Sequence, residues 1–176
     1  MEKLDDGVLI HLKGTSAKAI RLQIVSDRIV HVITSPLDPI QKDTSLMVVA
    51  SPAKPRWSVK TSGEQTLLST GLIRVYVHLS SGAIRFTDLD DHSILQQEQS
   101  PSLFKPVTID AGSSWQIKQT FLASPGEAFY GLGQHQQGIM NYKGEVVQLL
   151  QTNTEVAVPF LVSNKNYGIL WDNYSI

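Results

Sequence analysis

"LIRVYVHLSSGAIRFTDLDDHSILQQEQ", Leu72 to Gln99, decides the class of this chain. Ile73, Val75, Val77 and Leu79 alternate with Arg74, Tyr76 and His78. Successive strand side chains point to opposite faces, so this period of two puts an apolar row on one side and a polar row on the other. Ser80-Ser81-Gly82 turns the chain into "AIRFTD", and Asp88 to Ser93 turns it again into "ILQQEQ". Three strands in succession make a meander.

The same period extends outward. In "AIRLQIV", Ile20, Leu22 and Ile24 share one face opposite Arg21 and Gln23. "RIVHVIT" follows Ser26-Asp27 at once, which predicts a hairpin on that two-residue turn. Downstream, "WQIKQTFLA" alternates Trp115, Ile117 and, after a break at Gln119, Phe121. "VAVPFLVS" and "YGILWDN" flank Asn164-Lys165-Asn166, a hairpin turn by composition. Pro159 removes a ladder donor from the first of these, pointing to an edge position or a bulge. "PLDPIQKD", "ASPAKPRW" and "QSPSLFKPV" read as proline-marked connections. Apolar residues nowhere recur at helical spacing over three turns. About a dozen short strands predict a mostly β, antiparallel β-sandwich.

A chain of 176 residues is expected to form a single domain, 1–176, with a core of its own. Its 15 basic and 16 acidic residues form no run of one sign, so neither a nucleic-acid nor a membrane partner is indicated. No apolar run approaches the ~20 residues that cross a bilayer. The absence of cysteine removes disulfides, thiolate nucleophiles and cysteine zinc sites. "MEKLDDGVLI" lacks the basic and apolar regions of a signal peptide, although a chain whose leader had been removed would look the same. The compartment stays open, with a periplasmic or secreted setting favoured over a cytoplasmic one.

Few residues carry chemistry by spacing alone. "GLGQHQQG" begins like a dinucleotide fingerprint, but Gln136 stands where the third glycine should be and no helix follows. Its glycines suit a tight positive-φ bend instead. His135 in that bend reads as a sugar-hydroxyl partner or general base, or else as a loop histidine holding backbone groups. The second reading is preferred because no carboxylate neighbours it in sequence. His11, His31 and His78 fall on polar strand faces and show no metal-ligand spacing. "DLDDHS" (Asp88, Asp90, Asp91) shares only charge with a calcium loop and reads as a solvated turn. No cofactor and no metal is expected. Cleaving a glycosidic bond needs two facing carboxyl groups. Glu127, Glu145, Glu155 and Asp172 are candidates, each expected to be exposed beside a strand or turn. "QTNTE", Gln151 to Glu155, offers amide and hydroxyl groups on a loop between two strands, where binding residues concentrate.

"FYGLGQHQQG" (Phe129 to Gly138), the glycine of "NYKG", and "QTNTEVAVPFLVSNKNYGILWDN" (Gln151 to Asn173) resemble glycoside hydrolase family 31, the family of α-glucosidases and α-xylosidases. The likeness is to its N-terminal β-sandwich, of galactose-mutarotase-like fold, and "RIVHVITSP" and the meander are similar to it as well. The resemblance implies a following (β/α)8 barrel that supplies an aspartate nucleophile and an aspartate acid/base for a retaining mechanism. The chain is then a non-catalytic module, expected to be a fragment that precedes that barrel and lends a loop to the substrate subsite. On this reading Gln151, Asn153 and Thr154 are the substrate-binding residues, and an oligosaccharide and the barrel are the partners. A face rich in Phe160, Trp171 and Tyr174 would be left exposed, which favours self-association. A free-standing carbohydrate-binding module and a mutarotase-like epimerase are the alternatives, the latter disfavoured by dispersed histidines. Asn173-Tyr174-Ser175 fits a glycosylation pattern that carries no meaning in a bacterial protein.

Overall fold

A computed structural model describes residues 1–41, 45–48, 53 and 55–173. Tyr174 and Ser175, and with them part of the exposed face and the glycosylation pattern, lie outside the described residues, as do parts of "PLDPIQKD" and "ASPAKPRW". All regular structure among the described residues is strand, arranged in three antiparallel sheets. The chain divides into two compact units, the larger built from the first ten strands and the smaller from the last three.

In the larger unit one sheet runs β1 (Glu2–Leu4), β2 (Gly7–His11), β3 (Ala19–Ser26) and β4 (Ile29–Ser35) in sequence order. The second contains β5 (Ser58–Ser62), β6 (Gln65–Ser69), β7 (Arg74–His78), β8 (Ile84–Thr87), β9 (Ser93–Ile109) and β10 (Gly112–Leu122). These six also lie in sequence order across their sheet. The alternation in β7 falls as expected, with Val75 and Val77 fully buried and Arg74 and Tyr76 on the wetter face. Val8, Ile10, Ile20, Leu22 and Ile24 of one sheet form a single apolar cluster with Leu68, Val75, Val77 and Ile84 of the other. Two sheets sharing one apolar layer are a sandwich.

Polar groups at its ends are satisfied in the same economical way. Thr70 Oγ1 donates to Asp27 O at 2.8 Å, joining the β6–β7 turn to the β3–β4 turn. Ser16 Oγ donates to Ser102 O at 3.1 Å and accepts from Phe104 N at 3.2 Å. At the surface His11 lies between Asp38 (Nδ1 to Oδ2, 2.6 Å) and Glu2 (Nε2 to Oε1, 3.1 Å), and these hydrogen bonds raise its pKa.

Two local expectations shift. The β3–β4 turn is Asp27-Arg28, one residue later than expected, because a register shift between Ile24 and Ser26 leaves Val25 as an extra residue. "QSPSLFKPV" is not a connection but part of β9. β8 pairs with β9 only near its start, so residues 102–109 have β10 as their sole strand partner. Prolines are tolerated where a strand has no neighbour on one side.

Leu22 has no solvent exposure and packs between the sheets. Leu22→Ala is expected to cost about 2–5 kcal/mol, the usual range for truncating a buried leucine. Urea unfolding followed by tryptophan fluorescence measures it, and a loss under about 1 kcal/mol would contradict the shared core.

Candidate functional site

The smaller unit has β12 (Val156–Ser163) between β11 (Phe129–Gln134) and β13 (Tyr167–Leu170). Its geometry turns on Gly131-Leu132-Gly133, with φ of 98°, 64° and 104°. Gly131 pairs with Leu161 and Gly133 with Ala157, so Leu132 alone faces residues 158–160. Pro159 sits in that bulge, on the central strand and not at an edge. A Cβ at Gly131 would lie 2.4 Å from Phe160 O, and one at Gly133 would lie 1.8 Å from Val156 O. Both positions therefore require glycine for space as well as for φ. The "GLG" run is a strand bulge and not a phosphate cradle.

The bend folds His135 inward. Its side chain is only 2% exposed and lies 3.6 Å, Nδ1 to Oε2, from Glu155. Nε2 donates to Leu132 O at 2.9 Å, and the ring meets Tyr142 edge-on at 6.1 Å. The histidine thus holds a backbone group, as expected. The expectation that no carboxylate attends it is overturned by Glu155. Twenty residues of sequence separate the pair, and the pairing of Val156 at the start of β12 with Gln134 at the end of β11 closes that distance.

That contact braces the Gln151–Glu155 loop. Thr152 and Glu155 form an isolated bridge across it. Gln151 spans the neck, donating through Nε2 to Glu155 O at 2.9 Å and accepting Ala157 N on Oε1 at 3.2 Å. Asn153 and Thr154 occupy the exposed tip. Of the three residues singled out in sequence, Gln151 is a strut, whereas Asn153 and Thr154 are left exposed at the tip.

Glu127 departs furthest from expectation. It was expected in solvent but is 5% exposed, enclosed by donors. Oε1 accepts from Ser163 Oγ at 2.6 Å and Tyr167 OH at 2.7 Å, while Oε2 accepts from Ser124 N at 2.8 Å and Ser124 Oγ at 3.2 Å. Burial opposes its ionisation, yet the bonds from Ser163, Tyr167 and Ser124 outweigh it and hold the pKa at about 2. Burial and then the Glu127 contact raise the Tyr167 phenol. Asn164 adds to this knot, accepting Ala128 N on Oδ1 at 3.0 Å and donating to Gly126 O at 3.2 Å. Ser124 lies three residues before Glu127, but the two donors that enclose Oε1 come from positions 36 and 40 residues further on, which no sequence spacing marks.

The remaining candidates are simpler. Glu145 is exposed, and Asp172 is half-buried with Oδ1 lacking a hydrogen-bond partner. In the Asp88 turn, ligand atoms of Asp88, Asp90 and His92 come within 4.8 Å of one another. Asp88 Oδ1 is already taken by Asp90 N and His92 N, each at 2.9 Å, which is how an Asx turn uses its carboxylate. Phe160 is 42% exposed, in a row with Val156, Val158 and Val162 on one side of β12, and Trp171 is exposed beyond β13.

Residues 19–176 match the model of the glycosyl hydrolase 31 N-terminal galactose mutarotase-like domain. The chain is 29% identical over 167 residues to an α-xylosidase of Saccharolobus solfataricus, covering 89% of this chain and 22% of that protein. It is 41% identical over 73 residues to an uncharacterized family 31 glucosidase of Pseudescherichia vulneris, covering 42% and 13% of the two chains. The crystal structure of a family 31 α-xylosidase from Xanthomonas citri superposes with a TM-score of 0.92 at 34% identity, over 98% of this chain and 19% of that one. The chain therefore spans about a fifth of each of these two α-xylosidases.

A carboxylate whose pKa is depressed by folding stabilises above its unfolded value and loses that contribution as pH falls through the folded one. For Glu127 the window runs from 4.5 down to about 2. A depression of that size corresponds to about 3 kcal/mol. Acid titration of the folded chain is expected to weaken it through this window, and Glu127→Gln to flatten the step while lowering stability at neutral pH. Parallel acid profiles for the two proteins would refute the assignment.

Proposed function

The chain belongs to glycoside hydrolase family 31 as its N-terminal galactose-mutarotase-like domain, and from that premise we propose that it serves a retaining α-glycosidase as a non-catalytic module. The coverage supports this reading, since the α-xylosidases it matches carry about four-fifths of their length elsewhere. The relatives named as α-xylosidases support an α-linked xylose as the sugar that the longer enzyme releases. On this reading a (β/α)8 barrel in a longer chain supplies the two aspartates, and residues 1–176 support it and add one loop to its mouth.

The loop is built for such a role. Gln151 ties its neck and Glu155 rests on the buried His135, so the tip is held from both ends. A tip held in this way loses little conformational entropy on meeting a ligand. Asn153 offers an amide donor and acceptor, and Thr154 a hydroxyl, the groups that recognise sugar hydroxyls. Gln151 acts as a positioning residue.

Two measurements test the proposal. The 176-residue chain alone is expected to hydrolyse no aryl α-xyloside. Micromolar binding of oligosaccharides by that chain would instead favour a free-standing binding module. Within the longer enzyme, Asn153→Ala and Thr154→Ala are expected to raise KM about 3- to 10-fold with kcat little changed, as fits the loss of one hydrogen bond each. An unchanged KM in both variants would remove the loop from the subsite.

A further inference from the structure

The ribbon of residues 102–119 leaves a long strand edge open. Between Gln119 and Phe121 the register slips past residues 98–101 of β9, so the paired segments 102–109 and 112–119 form an arm beyond the rest of the sheet. Asp110 and Ala111, with φ of 46° and 63°, close it in a two-residue turn of the type that suits strand twist. Phe104 anchors the base in the core, and Trp115 meets it edge-on at 6.4 Å.

β10 is the last strand of its sheet and, at eleven residues, the longest edge among the described residues; β4 has seven and β11 six. Native edges are usually blunted by proline, charge or shortness. β10 has no proline and one charge, Lys118, while Trp115 is 40% and Ile117 38% exposed. A two-residue turn makes Ile109 and Gly112 the closing hydrogen-bonded pair. Counting along β10, the backbone groups of Ser113, Trp115, Ile117 and Gln119 then point away from β9.

We propose that two copies of this chain pair antiparallel along this edge, about a dyad at Gln116. An outward residue can bond only to an outward residue, which allows few registers. In this one Trp115 faces Ile117 of the other copy, and Ser113 faces Gln119. All seven residues from 113 to 119 are used, with about eight backbone hydrogen bonds. Lys118 falls opposite Ser114, so the single charge meets no like charge. Because Phe104 pairs with Ile117 and Pro106 with Trp115, an apolar row of Phe104, Ile117, Trp115 and Pro106 crosses the joined edge twice. The occupant that suits this edge is thus the edge itself. The pairing concerns the 176-residue chain, and within the longer enzyme of the glycosidase reading it requires that the barrel leave this edge uncovered.

The chain has no cysteine, which makes the dyad directly testable. At a non-hydrogen-bonded pair the Cα atoms lie about 4.5 Å apart, within disulfide range. Gln116→Cys is expected to oxidise to a covalent dimer. Ser114→Cys and Lys118→Cys alone should not, yet a mixture of the two should cross-link. Ile117→Pro removes an outward N–H without breaking the arm's own ladder, and it is expected to shift sedimentation from dimer to monomer at unchanged far-ultraviolet circular dichroism. A wild-type chain that sediments as monomer at every concentration, or cysteines that all cross-link at one rate, would overturn the proposal. So would a dimer that survives Ile117→Pro with Gln116→Cys unreactive, the result expected of association through the Phe160 face.

Discussion

Everything in the larger unit depends on one apolar layer shared by two antiparallel sheets. Val8, Ile10, Ile20, Leu22 and Ile24 come from one side, and Leu68, Val75, Val77 and Ile84 from the other. Each lies on the inward face of a strand with period two, so a slip of one residue would turn the whole set to solvent. The layer therefore sets register as well as stability. Polar groups that it traps are answered locally, as where Gln97 Oε1 accepts Ile84 N at 3.0 Å. Gly82 belongs to the same constraint, since a Cβ there would lie 2.7 Å from Leu12 Cδ1.

The smaller unit is held by different means. Its three strands bury few large apolar side chains, and several of them remain exposed. Hydrogen bonds centred on Glu127 and Asn164 join the entry to β11, the end of β12 and the start of β13. A carboxylate enclosed by four donors is specific to one arrangement of its neighbours, whereas an apolar contact tolerates sliding. The bulge at Gly131-Leu132-Gly133 then fixes where His135 and the Gln151–Glu155 loop emerge. Glycine supplies both the positive φ and the space for the carbonyls of Val156 and Phe160.

Reading the sequence reached the β3–β4 hairpin, the meander from β7 into β9, β10, β12, β13 and the Asn164-Lys165-Asn166 turn. It offered a bulge as one of two readings at Pro159, and it named no strand at β1, β5 or β6. It also reached the family, because "FYGLGQHQQG" and "QTNTEVAVPFLVS" are unusual strings and not merely strand-like ones. It missed β9 through "QSPSLFKPV", since proline normally ends a strand and the one-sided pairing that excuses it is not local information. It placed the polar loop correctly, yet it could not tell Gln151, whose amide is taken by Glu155 O and Ala157 N, from Asn153 and Thr154.

By itself the sequence determined the antiparallel β class and the position of the polar loop. Alternation and turn chemistry act over a few residues and can be read there. Tertiary structure alone decided which polar residues are struts and which are left exposed. Glu127 finds Ser163 and Tyr167 only after the chain returns along β12, and His135 finds Glu155 only where β12 starts beside the end of β11. A side chain's protonation and availability depend on neighbours brought from tens of residues away, and no short window of sequence contains them.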